Sequence, residues 1–546
     1  MAALYGFEAK SIQPFVLEGG KLADLVAASS LVDSLINAEG TDCVAVTEQA
    51  LGPHLPKSFE GFNYLRRTGG ALFIRCEDGT ALRMFRQAWT LGVQQWAPGL
   101  PFVDCLLTGD EAALKELMQQ LAQARNLPPA AFPPLAPGMM RAARTGRPAT
   151  AHRGGTGVDP VDEATRTKRH FAVAGLGTSG DLGLRCIPKA SRSAVFFPVN
   201  FEATANKTER FPFPSDNQVI ALVHADGNRL GNNIIRLATE LKAAGESIEK
   251  VMPVLSRAIA VATQDAVQQA FAAHVVGKGL KVEEAEVVPA RPIVVGGDDV
   301  TMLLRADIAL DWTETFLKAF RQQTRTQVST LLADATLPAA SAELVKRLFG
   351  DGLSAGAGIV YASASMPFDQ LHHLVEGVAS YAKTEAKAAA KDDGVPPSLV
   401  SIYRVTASAL DDFATVQDRD LTVSGGRILS MNPYLVPDEG DTSVSGIANV
   451  ADLKGLANLL GAADFPSGPL RQYVGLLSSN AAEARQVWGR FLQMARRKGH
   501  QDNLNKMLRP LLGADWSDEP FDSGQRTPLL DAISLNAVMR EMSNEQ

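Results

Sequence analysis

The amino-acid sequence predicts an α+β (mixed α/β) fold with two ferredoxin-like units, a segment between them and a C-terminal helical domain. Three observations support this fold class. The strand and helix patterns follow the order β-α-β-β-α-β twice, each repeat has a Gly-Gly pair between two apolar segments, and helical patterns dominate the final part of the chain. We expect domains at residues 1–126, 127–215, 216–406 and 407–546.

Composition and charge limit the classes of protein to which the chain can belong. Its 546 residues, of which 46% are hydrophobic and 21% charged, are typical of a soluble globular protein. The formal net charge of -7 excludes a polybasic binder of nucleic acid. Four widely spaced cysteines without a C-x-x-C pair argue against a disulfide framework and a zinc ribbon. We therefore expect a cytoplasmic protein that does not cross a membrane.

The elements of the first unit follow from apolar periodicity. The Gly-Gly pair at 69–70 joins two apolar segments in LRRTGGALFIRC and predicts a hairpin. The other predicted elements are a strand at 4–9, a helix at 21–36, a helix near 80–92 and a strand near 102–107. The stretch at 127–167 is so rich in Pro, Gly and Ala that we expect neither a helix nor a strand ladder in it.

The second unit repeats this order and is followed by the helical domain. Its hairpin has arms at 292–295 and 300–304 around the turn Gly-Gly-Asp-Asp at 296–299. Its other elements are strands at 219–226, 354–363 and 398–404 and helices from 230 onward, at 310–332 and at 368–391. A loop-rich stretch to 446 precedes helical patterns at 450–460, 469–477, 481–498 and 504–511.

Asp226 marks the first half of a candidate site. It places a carboxylate at the end of a strand, directly before a residue pattern that opens a helix. Backbone N–H groups at such a helix start suit a triphosphate beside a metal ion. The residues that we expect to border a nucleotide here are Gly227, Asn228, Leu230 and Gly231.

The hairpin supplies the second half of this site. In a β-α-β-β unit the first strand and the hairpin are neighbours, so Asp226 is expected to meet Asp298 and Asp299. Three carboxylates repel each other and invite divalent cations, which nucleotidyl transfer requires. Gly296 and Gly297 would let a nucleotide lie against the backbone. The same turn sequence is also ordinary hairpin chemistry with solvated aspartates.

Basic residues and histidines are further candidates for the site. On the helix at 368–391, Lys383 and Lys387 share a face and are selected to neutralise a triphosphate, although solvated surface lysines are the alternative. His224 is assigned to the core. The histidine pair at 372–373 is expected to have no acidic partner at metal-ligand spacing and is assigned no role. The basic cluster at 496–498 could contact RNA, but a solvated helix face is favoured.

The chain resembles the large polymerase/cyclase subunit of type III CRISPR-Cas effector complexes, which contains two palm domains and a GGDD hairpin. The resemblance covers nearly the whole chain. It rests on the two units, the GGDD at 296–299, the opening segment at 7–36, TGRPA at 145–149, VDEATRTKR at 161–169, AKTEAK at 382–387 and NPY at 432–434.

This resemblance implies an activity and a set of ligands. Active palms of the family convert ATP, with Mg²⁺ or Mn²⁺, into cyclic oligoadenylates that act as second messengers in antiviral defence. By the same resemblance, Asp226, Asp298 and Asp299 would hold two metal ions. The implied partners are crRNA, target RNA and other effector subunits, and a homo-oligomer is a further expectation.

The sequence departs from the family pattern at four places. The hairpin of the first palm reads Gly-Gly-Ala-Leu at 69–72, which predicts a degenerate, silent palm. Asn228 stands where related palms often carry an acid. The His-Asp nuclease domain and the zinc-binding cysteines are not recognised, so DNA cleavage is not expected. These absences favour a reduced or standalone form.

Three functions remain open at the level of sequence. The first is a metal-dependent cyclic oligonucleotide synthase using ATP. The second is a catalytically quiet scaffold that binds RNA and partner subunits, against which the intact GGDD argues. The third is a diguanylate-cyclase-like enzyme using GTP, which is disfavoured because a second palm and a helical tail are not expected in that family.

Overall fold

The chain is represented by a computed structural model. The residues that the structure does not describe are 1, 19–20, 37–41, 58, 69, 110–113, 128–135, 153–159, 176–181, 203–204, 215–216, 334–336, 391–393, 407–410, 424, 439–443, 445, 514–518 and 544–546. Within the described ranges, none of the helices has the length and apolar character needed to cross a membrane.

The first unit is built on an antiparallel sheet. Its elements are β1 (Ala3–Ala9), α1 (Ile12–Leu17), α2 (Leu22–Asp33), α3 (Cys43–Leu51), β2 (Asn63–Thr68), β3 (Ala71–Cys76), α4 (Gly79–Trp96), β4 (Phe102–Thr108) and α5 (Leu114–Arg125). The strand order β2-β3-β1-β4, with antiparallel neighbours, is the ferredoxin-like order that the sequence predicts. The helices α1, α3 and α5 were not predicted.

The segment after the first unit contains short elements. They are β5 (Ala151–His152), β6 (Pro160–Val161), α6 (Glu163–Gly175), α7 (Leu182–Arg185) and β7 (Val195–Phe196). The prediction that 127–167 carries neither helix nor ladder is wrong at its end, because β5 pairs with β6 and α6 begins at Glu163. Asp162 explains that start, since its Oδ1 accepts a hydrogen bond from the backbone N of Thr165 at 2.8 Å.

The second unit is the larger of the two sheet units. Its elements are β8 (Val219–Gly227), α8 (Leu230–Ala243), α9 (Ile248–His274), β9 (Leu280–Val282), β10 (Ala285–Val287), β11 (Ala290–Gly296), β12 (Asp299–Arg305), α10 (Ala309–Ala333), α11 (Ala339–Phe349), β13 (Ala355–Ser363), α12 (Phe368–Ala389) and β14 (Leu399–Arg404). The order β11-β12-β8-β13, with antiparallel neighbours, repeats that of the first unit. The α+β fold class with two ferredoxin-like units is therefore confirmed.

The C-terminal part is mainly helical. Its elements are α13 (Phe413–Val416), β15 (Thr422–Val423), β16 (Arg427–Ile428), β17 (Tyr434–Leu435), α14 (Val450–Leu460), α15 (Ser467–Leu477), α16 (Ala481–Arg497), α17 (Gln501–Leu512) and α18 (Leu529–Ser543). The strand β17 pairs with β14 and extends the sheet of the second unit. Asp531 on α18 accepts a hydrogen bond from the backbone N of Met431 at 2.9 Å, which joins this helix to the segment before β17.

The two faces of the second sheet are covered by different elements. Side chains of a strand alternate between faces. Val223 and Ala225 on β8 belong to the same core as residues of α9 and α10, whereas Ile220 and Leu222 belong to the core that includes residues of α12 and the first unit. His224 and Asp226 share the parity of Leu222, so they lie on the face toward α12.

The first unit contacts the second close to the hairpin. The hydroxyl of Ser29 on α2 donates a hydrogen bond to the backbone carbonyl of Ile293 on β11. The guanidinium Nε of Arg75 on β3 lies 2.7 Å from Oε2 of Glu249 on α9. The strand β2 also lies beside α9. These contacts place the first sheet next to α9, whose Thr263 hydroxyl donates a hydrogen bond to the backbone carbonyl of Gly297 in the Gly-Gly-Asp-Asp turn.

Candidate active site

The candidate site lies at the end of β8, where two aspartates stand on neighbouring strands. Asp226 on β8 is directly opposite Asp299 on β12 in the antiparallel register. Directly opposed residues of neighbouring strands have side chains on the same face. The sheet thus brings together the two carboxylates that the sequence predicted to meet.

The hairpin turn is shorter than predicted. Gly296 pairs with Asp299, so the turn contains only Gly297 and Asp298 instead of four residues. Gly297 has a φ of +61°, and Asp298 is not among the residues with positive φ. That combination is the pattern of a type II′ turn, which needs glycine at its first position. No atom lies within 4 Å of the position that a Cβ on Gly297 would take, so this face of the turn is open.

Gly227 makes room for the third carboxylate. A Cβ on Gly227 would lie 2.8 Å from Oδ2 of Asp298 and 2.9 Å from its Cβ, which is closer than real Cβ contacts. The backbone N of Gly227 also donates a hydrogen bond to the carbonyl of Asp298 at 3.2 Å. Glycine is therefore required here so that the Asp298 side chain can pack beside β8.

The carboxylates carry excess negative charge. Burial, and next the charge of Asp226, raise the pKa of Asp298 to about 7. Burial and Asp226 likewise raise the pKa of Asp299 to about 7. The two raised pKa values mean that the protein alone does not balance the negative charges of the ionised carboxylates. A bound cation would favour the ionised carboxylates.

Lys383 supplies one compensating charge. Its ammonium forms an ion pair with Oδ2 of Asp226. The helix α12 can approach the sheet so closely because of two glycines on β13: a Cβ on Gly356 would lie 2.5 Å from Cγ of Lys383, and a Cβ on Gly358 would lie 2.6 Å from the backbone N of Ala379. The alternating Gly-Ala-Gly at 356–358 was the signal for this close packing, and sequence reasoning did not use it.

The other predicted site residues lie on α12, at the start of α8 and directly after β8. Lys387 is exposed, one turn after Lys383 on α12. Leu230 and Gly231 begin α8, and a Cβ on Gly231 would meet open space. Asn228 is buried, and its Nδ2 donates a hydrogen bond to Oγ of Ser354 at 2.9 Å. Its Oδ1 is buried and has no hydrogen-bond partner in the described part of the chain.

A buried polar cluster beside Asp299 was missed. Nδ1 of His224 lies 3.4 Å from Oδ1 of Asp299 and 3.0 Å from Oγ1 of Thr301. Burial lowers the pKa of His224 to about 4, so this imidazole is neutral at pH 7. His372 stands behind it, and the statement that the histidine pair lacks an acidic partner is wrong, because Glu376 follows at i+4 with Oε2 3.6 Å from Nδ1 of His372.

A basic residue of the first unit was also missed. Arg66 on β2 has its guanidinium carbon 5.8 Å from the ring centre of Phe73. Burial lowers the pKa of Arg66, while the negative charges of Glu8 and Asp298 oppose this shift. Its Nε is buried and has no hydrogen-bond partner in the described ranges. The first unit therefore places a cation within electrostatic reach of the Asp298 carboxylate.

The carboxylate oxygens of Asp226, Asp298 and Asp299 are ligands of a type that suits divalent cations. Carboxylate oxygens are the ligands that Mg²⁺ and Mn²⁺ prefer, and the inward Oδ1 of Asp299 is buried without a hydrogen-bond partner among the described residues. In the same described ranges no three His, Cys, Asp or Glu side chains are grouped closely enough to hold a metal ion. The Asp226 carboxylate is instead engaged by Lys383.

Comparison with known proteins identifies the type of the second unit. Residues 219–393 match the family model of the Cas10/Cmr2 second palm domain. No curated protein matches the chain. The match confirms the predicted resemblance to the large subunit of type III CRISPR-Cas complexes.

Several solved structures are similar to the chain. A Csm1-Csm4 cassette in complex with cA4 has a TM-score of 0.47 and 13% identity, over 93% of this chain and 69% of that chain. The Csm1-Csm4 cassette in complex with AMPPNP has a TM-score of 0.46 and 14% identity, over 99% and 70%. Csm1 of T. onnurineus has a TM-score of 0.44 and 15% identity, over 98% and 69%.

Proposed function

We propose that this chain, whose second palm matches the Cas10/Cmr2 model, is a metal-dependent nucleotidyltransferase that makes cyclic oligonucleotides. ATP is the proposed substrate, and cyclic oligoadenylate that signals in antiviral defence is the proposed product. The observation that carries the proposal is the pairing of Asp226 with Asp299 beside a turn that is open at Gly297. A solvated hairpin turn does not require the matching carboxylate on the neighbouring strand.

In the proposed reaction a ribose hydroxyl attacks an α-phosphate, and pyrophosphate leaves. Asp226, Asp298 and Asp299 would hold two divalent cations, which supply charge neutralisation and activation of the attacking hydroxyl. The open face of the turn at Gly297 leaves room for a nucleotide against the backbone. The N–H groups at the start of α8, from Leu230 and Gly231, are candidates to donate hydrogen bonds to phosphate oxygens.

Lys383 and Lys387 would neutralise the triphosphate. In the structure the Lys383 ammonium is bound to Asp226, and it would be free to turn toward the phosphates when Asp226 holds a cation. Lys387 is exposed one turn further along α12. Arg66 would add a third positive charge from the first palm, because its guanidinium is within electrostatic reach of Asp298. The proposed site would thus be composite, although the first palm carries no catalytic carboxylate in its hairpin.

The place of the chain in a larger assembly is part of the same proposal. We propose that it acts in the cytoplasm as the large subunit of an RNA-guided effector, with crRNA, target RNA and other subunits as partners, or as a standalone homo-oligomer. The family match of residues 219–393 supports the effector assignment.

Product analysis by mass spectrometry tests the activity. The purified chain is incubated with each of the four nucleoside triphosphates and Mn²⁺ or Mg²⁺, alone and with co-expressed subunits and RNA. The test variant combines Asp298→Ala with Asp299→Ala, and Asp502→Ala on the exposed side of α17 is the matched control. We expect a cyclic oligoadenylate that disappears in the test variant only.

Other results would redirect the proposal. A product from GTP alone would favour a diguanylate-cyclase-like enzyme. Absence of product under every condition, together with retained binding of RNA or subunits, would favour a catalytically quiet scaffold.

A further inference from the structure

The two oxygens of the Asp299 carboxylate have different surroundings. Oδ1 is buried and has no hydrogen-bond partner in the described ranges, whereas the side chain as a whole is 35% exposed. The exposed part of the side chain therefore lies away from Oδ1. A buried carboxylate oxygen without a donor is costly, so the groups facing Oδ1 decide how the side chain is held.

His224 is a polar side chain that faces this oxygen. Its Nδ1 lies 3.4 Å from Oδ1 of Asp299 and 3.0 Å from Oγ1 of Thr301. Both contacts follow from the sheet, because His224 is opposite Thr301 in the register and two residues before Asp226. A neutral imidazole carries one N–H, and a proton on Nδ1 would serve the carboxylate and the hydroxyl together.

A second histidine stands behind the first. The ring centres of His224 and His372 are 5.9 Å apart, and His372 is buried on α12. Nδ1 of His372 lies 3.6 Å from Oε2 of Glu376, one turn further along the helix. The helix that brings Lys383 to Asp226 thus also brings a histidine and a carboxylate to the rear of Asp299.

We propose that His224 is a positioning residue for Asp299, supported from behind by His372 and Glu376. The Nδ1–H of His224 faces Oδ1 and fixes the rotation of the carboxylate, so that Oδ2 is presented to a divalent cation. The role of Oδ2 rests on the proposed function. The contact between His224 and Asp299 does not, so the two can be tested separately.

Mn²⁺ binding to the full chain without nucleotide tests whether His224 helps Asp299 to bind a divalent cation. The free Mn²⁺ signal in electron paramagnetic resonance is measured for the wild type, His224→Leu, His224→Asn and His373→Gln. His373→Gln is the matched control, since His373 is the exposed neighbour of His372. Loss of an outer partner typically costs 10-fold to 100-fold in metal affinity, so we expect His224→Leu to weaken binding by about 10-fold or more.

The conservative variant separates positioning from general packing. The Asn side chain can place an N–H close to the position of Nδ1, so His224→Asn should recover part of the lost affinity. His373→Gln should bind as the wild type does. Equal Mn²⁺ affinity of wild type and His224→Leu, with both folded by circular dichroism, would overturn the positioning role.

The tautomer of His224 provides a readout that needs no metal. In protein with ¹⁵N-labelled histidine, long-range ¹H–¹⁵N spectra of the ring report which nitrogen carries the proton, and His224→Asn assigns the signal. We expect the Nδ1–H tautomer in the metal-free chain. The Nε2–H tautomer would overturn the proposal. A wild type that binds no Mn²⁺ but shows the Nδ1–H tautomer would refute the proposed metal-dependent function and keep the contact.

Discussion

The ammonium of Lys383 on α12 is bound to Oδ2 of Asp226 at the end of β8, although the two residues are far apart in sequence. This ion pair makes Lys383 part of the candidate site in the free protein. On the proposed function, Lys383 would be free to bind a phosphate once Asp226 holds a cation. Binding of the cation and binding of the phosphate would therefore strengthen each other.

Replacement of Lys383 should therefore impair catalysis more than replacement of Lys387. We expect Lys383→Met to lower kcat/KM for ATP by about 10-fold to 100-fold, the range for loss of a hydrogen bond from a charged group. Lys387→Met is the matched control, because Lys387 is exposed on the same helix and should change kcat/KM less. Equal effects of both substitutions on initial rates of product formation would contradict a specific role for Lys383.

Gly356 should be intolerant of a methyl group. A Cβ at this position would lie 2.5 Å from Cγ of Lys383 and 3.0 Å from its backbone N, so α12 must move away from the sheet. We expect Gly356→Ala to destabilise the protein by about 1–3 kcal/mol, as overpacking does, and to lower Tm in differential scanning calorimetry. Gly231→Ala, where a Cβ meets open space, should leave Tm unchanged or raise it. An unchanged Tm for Gly356→Ala would show that this close approach is not rigid.

The stability of the metal-free protein should depend on pH through Asp299. Because burial and Asp226 raise the pKa of Asp299 to about 7 in the folded state, its contribution to stability is present at low pH and is lost as pH rises through about 7. Asn at position 299 cannot ionise, so Asp299→Asn avoids the loss of stability that ionisation causes. The variant should therefore be more stable than the wild type at pH 8. The side chain is 35% exposed, and screening limits the expected gain to about 1 kcal/mol.

Thermal unfolding in the presence of a chelator measures this gain at pH 8 and pH 5. The difference in Tm between Asp299→Asn and the wild type should shrink toward pH 5, where the wild-type carboxyl is mostly protonated in the folded state. Addition of Mn²⁺ at pH 8 should stabilise the wild type more than the variant. A wild type that is the more stable protein at pH 8 without metal would contradict the raised pKa.

Arg66 should connect the first palm to the activity of the second. Its guanidinium, of which Nε is buried, is influenced by the Asp298 charge, and a triphosphate at the turn would offer it a stronger partner. We expect Arg66→Ala to lower kcat/KM for ATP by about 10-fold. The control is Arg83→Ala, which removes an exposed arginine from α4 of the same palm. If Arg66→Ala retains full activity while Asp298→Ala loses it, the pocket is not composite.

The sequence by itself determined the repeated β-α-β-β-α-β order and the meeting of Asp226 with Asp299. Both follow from local patterns, because alternation of apolar residues specifies strands and the topology makes the first strand and the hairpin neighbours. The positive φ of Gly297 was also predictable from the glycine pair, although the turn is two residues shorter than expected and Gly296 belongs to β11. The roles of these residues in catalysis remain predictions.

Only the tertiary structure decided which more distant residues reach the carboxylates. Lys383 and His372 depend on how closely α12 packs on β13, and Arg66 depends on contacts between the palms. How closely these elements pack depends on the volumes of side chains that are far apart in sequence. The local periodicity of apolar residues carries no information about such distant pairs. The partner of His372 was within reach of sequence reasoning, since Glu376 follows at helical spacing, but the meeting of this pair with His224 required the packed core.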